Sequence, residues 1–276
     1  MSHPSGMPHR SLSLIGHDPA AHTDVAPLVR VLGSSQIDTG SVTMAQRTVV
    51  AALVLHRPHG ATVETLADAI WPTGAPATAR ASVQNQIGRL RRSFGADFIE
   101  HRHDRYVLTV DSDIDVLERA VSDDLTSIDV LASALALWRG TPFDDLADDP
   151  RAEVERVRLN RLRDIAVERL AAARISAGRA EESILDLSVH VASEQFHERA
   201  WELLVAALYL AGRRSEALVT YVRFERILGD EIGACPSATF RALQRSVAHE
   251  ESIAHHLPTV GASMPRDVCS VESRTA

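Results

Sequence analysis

Short alternations of apolar and polar residues at Leu28–Leu32 and Gln36–Thr39, punctuated by Gly33 and Gly40, predict two strands. The period then becomes helical. Ala45–His56 places Val49, Val50, Leu53 and Val54 on one side, and Pro58 and Gly60 stop it. A second helix opens at Thr62, an N-cap hydroxyl with an acidic residue in the first turn, and carries Val63, Leu66, Ala67 and Ile70 up to Trp71. Pro72, Gly74 and Pro76 form a turn. The next segment, 78-TARASVQNQIGRLRRSFG-95, places Val83, Ile87, Leu90 and Phe94 within an arc of about 60° at helical pitch. Thr78 is the expected cap and Gly95 the expected left-handed residue past its end. Phe98–Glu100 and Arg105–Val110 then alternate as the two strands of a hairpin, with 101-HRHD-104 at its tip.

From Asp115 to about His249 the pattern is almost wholly helical and breaks into antiparallel pairs. The segments 177-AGRAEESILDL-187 and 211-AGRRSEALVTY-221 repeat. At the same offset Leu170 matches Leu204, Glu182 matches Glu216 and Ile184 matches Leu218. That offset is the tetratricopeptide period, about 34 residues, in which a small residue and a glycine close the first helix and a small residue packs in the second. Ser183 and Ala217 occupy the small position. Two copies need further helices to cap them. The pattern therefore predicts a fold that is mainly α with a small β component, in four segments. Residues 1–27 read as a disordered extension, 28–112 as a winged helix-turn-helix, 113–250 as an all-α tetratricopeptide-like domain and 251–276 as a flexible tail.

Composition changes the picture in one place. The chain carries a net charge of −8, and all 29 of its basic residues are arginine. Positions 78–94 hold Arg80, Arg89, Arg91 and Arg92 and no acidic residue, leaving 25 arginines against 37 acidic residues elsewhere. On a helix, Ala81, Asn85, Gly88, Arg89 and Arg92 lie opposite the apolar stripe, with Gln84, Arg91 and Arg80 on one flank and Ser82 and Gln86 on the other. Three helices, the third basic outside, followed by a hairpin, describe a reader of the DNA major groove. Arginine reads guanine and asparagine or glutamine reads adenine, while further arginines neutralise phosphates. A carboxylate on that face would repel the duplex. Arg80 and Arg91, on the flank, are expected to hold the DNA backbone.

The two halves in this order resemble the Streptomyces antibiotic regulatory protein family, transcriptional activators with an OmpR-type winged helix and a bacterial transcriptional activation domain. The resemblance rests on 29-VRVLG-33, 66-LADAIWP-72, 76-PATARASVQNQIGRLRRSFG-95, 105-RYVLTV-110, 115-DVLERAV-121, 135-LALWRGTPFDDL-146 and 199-RAWELLVAALYLAGRRSEALVTYVRFERILGDEIGACPS-237. It implies a pathway-specific activator of an antibiotic or other secondary-metabolite cluster. Such a protein binds promoter direct repeats as head-to-tail protomers, a homodimer at least on DNA, and contacts the RNA polymerase holoenzyme. Carried over by position, Asn85 and Arg89 face bases, Ser82, Gln86, Arg91 and Arg92 lie at the backbone, and Arg105 sits on the wing. The chain departs from the family at the wing, where His101, Arg102, His103 and Asp104 stand in place of the usual glycines.

Other features read as structure. Trp71, Trp138, Trp201, Tyr209 and Tyr221 fall on packing positions. The acidic run 144-DDLADD-149 reads as a solvated loop with helix-start carboxylates, and alternatively as a polymerase contact. Cys235 and Cys269 suit neither a disulfide framework nor a zinc site. The tail histidines His3, His9, His17 and His22 fit no metal spacing, and no cofactor is implied. No P-loop, dinucleotide fingerprint, nucleophile elbow or zinc-protease motif is present, so the reading is not an enzyme. No apolar run is long enough for a membrane span, and no signal peptide is seen, so a cytoplasmic, nucleoid-associated protein is expected. The competing expectation is a helical-repeat scaffold or ligand-sensing module whose winged domain serves protein interaction.

Overall fold

The structure is a computed structural model and describes residues 29–38, 42–123 and 125–257. The expectations for residues 1–27, the four tail histidines, Cys269 and the tail from 258 onward lie outside the described residues. The architecture is mainly α with a small β component: a winged helix-turn-helix followed by a tetratricopeptide-like helical array. Strand β1 (Val29–Arg30) pairs antiparallel with β2 (Gln36–Ile37), Val29 opposite Ile37. Both are shorter than the alternation suggests. After Arg30 the backbone turns its polar groups elsewhere: the Val31 and Leu32 amides go to Asp113, and their carbonyls accept from Phe143 and Arg139.

Helices α1 (Met44–Leu55) and α2 (Val63–Ile70) start where polar caps allow. Thr43 and Gln46 exchange hydrogen bonds at the first, and the Thr62 hydroxyl accepts from the Thr65 amide at the second. Helix α3 spans Ala79–Phe94 and buries Val83, Ile87 and Leu90, with Phe94 half-buried. Two expectations at its ends are corrected. Thr78 makes no side-chain cap, because its backbone is already turned near the bridge region (φ −92°, ψ 4°), and the Ala79 amide donates to Pro76 instead. Gly95 takes a positive φ of 106° but an extended ψ of 151°, so it launches the wing rather than closing a left-handed cap. The wing is β3 (Ile99–Arg102) paired with β4 (Arg105–Leu108).

The helical half comprises α4 (Asp113–Ser122), α5 (Ile128–Ala136), α6 (Pro150–Ser176), α7 (Glu181–Ser193), α8 (Glu198–Leu210), α9 (Arg214–Ile232) and α10 (Ala238–Ala248). Its repeat is reproduced to the hydrogen bond. Gly178 and Gly212 sit at φ +75° and +78° after α6 and α8. In both copies the next amide reaches back to close a Schellman turn, Arg179 to Arg174 and Arg213 to Leu208, each at 2.8 Å. Arg179 then pairs with Glu182 and Arg213 with Glu216. Ser183 and Ala217 are both fully buried.

The buried apolar residues form two core clusters. One apolar core runs from Val29 to Leu170, through Leu53, Leu66, Leu90, Ile99, Leu117 and Phe143. A second runs from Ala171 to Ile253 around Trp201, Phe224 and Phe240. The long helix α6 enters both. Where the winged half meets the helical half, polar contacts join the shared apolar core, the innermost of them buried. The Asp113 carboxylate, wholly buried, accepts from the Val31 amide at 2.9 and 3.0 Å and the Leu32 amide at 3.0 Å, with Arg139 at 3.9 Å. Asp144 accepts from the Ser34 hydroxyl and Asp145 from the Ser35 amide, while Asp149 caps α6. Three of the run's four carboxylates, Asp144, Asp145 and Asp149, are therefore spent on the fold. Buried Arg156 satisfies the carbonyls of Pro142, Phe143 and Leu146, the loop that presents them.

Asp113→Ala leaves two buried amides without acceptors and is expected to cost about 2–4 kcal/mol in urea unfolding. Burial pushes the Asp113 carboxyl up to about 6 from 3.8, against its amide donors and Arg139. The native state thus holds this proton where the unfolded chain has released it, and the group's contribution to stability falls as pH rises through that window. The stability of the protein relative to its Asp113→Asn variant should fall between about pH 4 and about pH 6.5; an opposite slope would show the carboxyl titrating low. Ser183→Ala removes a buried hydroxyl that has no hydrogen-bond partner, and is expected to raise the unfolding free energy by about 1 kcal/mol.

Candidate nucleic-acid interface

The exposed face of α3 is built by its own periodicity. With Val83, Ile87 and Leu90 turned into the core, Ala81, Gln84, Asn85, Arg89, Arg92 and Ser93 are exposed. Asn85 and Arg89, one turn apart, stand side by side in solvent. Arg92 bends back over Gly88, its Nη1 3.7 Å from where a Cβ on that glycine would lie. The absent side chain leaves the guanidinium a seat against the helix. These groups form a strip of amide and guanidinium donors without a carboxylate.

The other candidates are placed less freely. Ser82 is half-buried on the flank. Gln86 is half-buried and its Oε1 is buried with no hydrogen-bond partner, so its oxygen points inward. Arg80 is exposed but paired with Glu64 at 2.7 Å. The Glu64 carboxyl is held below its ordinary value first by its own backbone amide, with smaller help from Thr62 and Arg80. Arg91 is half-buried: its Nε donates to the Ile99 carbonyl at 2.8 Å, and its guanidinium lies 5.8 Å from the centre of the Tyr106 ring. It joins the helix to the wing, which limits its reach toward a duplex. Arg105 stands at the start of β4 and donates to the Gly60 carbonyl at 3.1 Å.

The wing turn is tighter than the expected four-residue tip. His101 and Arg102 belong to β3, and the turn is only His103 and Asp104, both at positive φ (47° and 63°). This is the conformation of a two-residue primed turn, which asparagine and glycine normally supply. It resolves the missing glycines of the sequence: the chain keeps the turn and bears the local strain. Arg102 pairs with Glu100 and Arg105 with the Gly60 carbonyl. The His101 ring rests 4.7 Å from that of Tyr106.

The structure adds one positioning device that the sequence read only as a helix stop. Gly60 sits at φ +72°, and a Cβ there would come within 2.4 Å of the Tyr106 carbonyl. This close approach lets Ala61 exchange backbone hydrogen bonds with Tyr106, at 3.0 and 2.8 Å, and fixes the wing against the helices. The only sequence signal was the glycine itself. Gly60→Ala should cost about 2 kcal/mol or more from strain and crowding. It should also speed hydrogen exchange at the Tyr106 amide; unchanged protection there would rule out this role.

Comparison with known proteins sets this geometry in a family context. Residues 115–248 match the family model described as bacterial transcriptional activator domain. The chain is similar to the transcriptional regulatory protein EmbR of Mycobacterium tuberculosis, 29% identical over 247 residues that cover 83% of this chain and 63% of that protein. It is similar to the regulatory protein DnrI of Streptomyces peucetius, 28% identical over 73% of this chain and 82% of that one. The regulatory protein AfsR of Streptomyces coelicolor is 31% identical over 73% of this chain but only 22% of its own length. Among solved structures, Mycobacterium tuberculosis EmbR in complex with a low-affinity phosphopeptide superposes with a TM-score of 0.65 at 27% identity, over 83% of this chain and 67% of that one. This chain thus spans 63% of the length of the EmbR sequences it matches.

Proposed function

We propose that this chain, which belongs to the Streptomyces antibiotic regulatory protein family and carries its bacterial transcriptional activator domain at 115–248, is a sequence-specific DNA-binding activator of transcription. The observation that carries the reading is the exposed, carboxylate-free strip of Asn85, Arg89 and Arg92 on α3, beside a wing held in place by Arg91 and Gly60. Inserted into the major groove, α3 presents Asn85 to an adenine edge and Arg89 to a guanine edge. Arg92, Arg80, Ser82 and Arg105 lie where phosphates run on either side. Arg80 exchanges its exposed pairing with Glu64 for a phosphate at little cost, because exposed ion pairs contribute little. Gln86 and Arg91 contribute mainly by fixing α3 and the wing.

Direct repeats on one face of the duplex suit head-to-tail protomers spaced by about one helical turn, roughly 10–11 base pairs. The helical half then lies beside the DNA, and its outer face meets RNA polymerase. The relatives named as regulatory proteins, DnrI and AfsR from Streptomyces among them, support a regulatory role; a pathway-specific target in secondary metabolism is what the family resemblance implies. They favour regulation over catalysis, and a cytoplasmic site of action follows from it. Among the described residues no helix is long and apolar enough to cross a membrane.

The test is gel-shift titration on direct-repeat promoter DNA and on its scrambled counterpart. Arg89→Ala should lose about 1–3 kcal/mol of affinity for the repeats and relax base preference at one position, with the helical circular dichroism unchanged. Arg92→Ala should weaken both DNAs alike and lower the salt dependence by about one phosphate contact. Equal affinity of the unaltered protein for repeat and scramble would sink base readout. Loss of any salt-dependent DNA affinity would favour the protein-interaction scaffold instead.

A further inference from the structure

Four side chains from three elements converge where the first helix pair of the array meets the second. Asp164 and Glu168 lie one turn apart on α6, His190 lies in the last turn of α7, and His197 caps α8. Ligand atoms of Asp164, His190 and His197 all lie within 4.8 Å of one another. His190 Nε2 and His197 Nδ1 face each other at 3.4 Å, and Asp164 Oδ1 is 3.9 Å from His190 Nε2. The other nitrogen of His197, Nε2, lies 2.6 Å from Glu168 Oε1. His190 is 5% exposed, and the Asp164, Glu168 and His197 side chains are 14%, 14% and 18% exposed.

We infer that Asp164, His190 and His197 form a binding site for one divalent transition-metal ion of the zinc type, with Glu168 holding His197 in register. Geometry supports it. Zinc–nitrogen bonds of about 2.0–2.1 Å at a tetrahedral angle put two nitrogens about 3.3–3.4 Å apart, and the histidine pair stands at 3.4 Å. Asp164 needs to close by about 0.5 Å on its His190 edge and by up to about 1.4 Å on its His197 edge. A histidine ligand ordinarily donates its second N–H to a carboxylate, which fixes the tautomer and the ring. His197 has its Nε2 2.6 Å from Glu168 Oε1, a close charge contact not aligned as a hydrogen bond, and turns Nδ1 toward His190 Nε2. Histidine and carboxylate donors together suit zinc, and three protein ligands leave a fourth position open.

Access agrees, and the local charge is partly balanced. Arg161 and Arg163 on α6 and Arg199 on α8 act on the cluster; its two carboxylates offset two of these three charges, and Arg199 also pairs with Glu202. A groove of about 460 Å³ between α5, α6 and α7 reaches His190 and provides an entry path. The ion would staple the first helix pair to the start of the second. This reading is independent of how the winged half meets DNA.

The experiment uses the full chain, stripped with chelator, then titrated with zinc in competition with a chromophoric chelator and with cobalt(II) followed by its visible absorption. A variant with His3, His9, His17 and His22 all replaced by alanine controls for the N-terminal histidines. The protein and this control should each take up one tightly held equivalent, show the spectrum of a four-coordinate cobalt(II) site and melt at a higher temperature with zinc. His190→Gln combined with His197→Gln should lose all three responses. Glu168→Gln should keep the spectrum but bind about 10–100-fold more weakly. Equal uptake by the double variant, or no uptake by the unaltered protein, overturns the site. If the double variant does not fold, the tail-histidine control decides: loss of its tight equivalent or of its four-coordinate spectrum overturns the site. A purely structural cluster would lower the melting temperature of the variants without metal and leave zinc without effect on any of them.

Discussion

The fold depends on one buried carboxylate. Asp113 opens α4 and takes the backbone amides of Val31 and Leu32, the residues that follow β1. Those amides would otherwise be buried and unpaired, since the ribbon turns away from β2 at that point. The contact draws the N-terminal ribbon under the loop at 139–146, whose backbone and acidic side chains complete the junction. Burial raises the carboxyl's proton affinity, yet the three hydrogen bonds and Arg139 keep it in place. A charged group beneath an interface is expensive to bury, so it specifies one docking geometry in which its donors are all met.

That docking makes the winged half and the first helices of the array share one core. The orientation of α3 is consequently not set by the winged half alone. Its buried stripe rests on α1 and α2, and α1 rests in turn on the 144–146 loop and on α6 of the helical half. The surface above can then be chosen for chemistry. Arginine, asparagine and small residues cover α3 because packing asks nothing of that face. The wing is fixed by three backbone-directed contacts, from Arg91, Arg105 and the Ala61 bridge, together with the buried side chains of Ile99, Tyr106 and Leu108. A turn of His103 and Asp104 is tolerable under those constraints, even though neither residue favours its conformation.

The repeat shows how little sequence is needed when geometry recurs. An alanine, a glycine and an arginine at each helix end, with a glutamate three residues beyond, rebuild the same Schellman turn and the same ion pair in both copies. The copies differ where they must meet unlike neighbours. Leu170 belongs to the core shared with the winged half, while its counterpart Leu204 belongs to the second core. The joint between the copies is also where the acidic and histidine side chains of α6, α7 and α8 gather.

Sequence by itself determined the elements and their faces. Apolar spacing placed α1, α2 and α3 within a residue or two, exposed Asn85, Arg89 and Arg92, and revealed the repeat, because helical period and left-handed glycines are local properties. It erred or stopped where a residue's partner lies far along the chain. Thr78 has the right chemistry for a cap but the wrong backbone. Arg91, expected at the DNA backbone, also donates through Nε to a carbonyl on the wing. Gly60 read as a stop, and its close approach to Tyr106 is visible only once the hairpin folds back. Asp113, Arg156 and the group formed by Asp164, Glu168, His190 and His197 carry no sequence pattern at all. Their meaning depends on which backbone groups and side chains the folded chain brings within about 3–4 Å, and only the tertiary structure decides that.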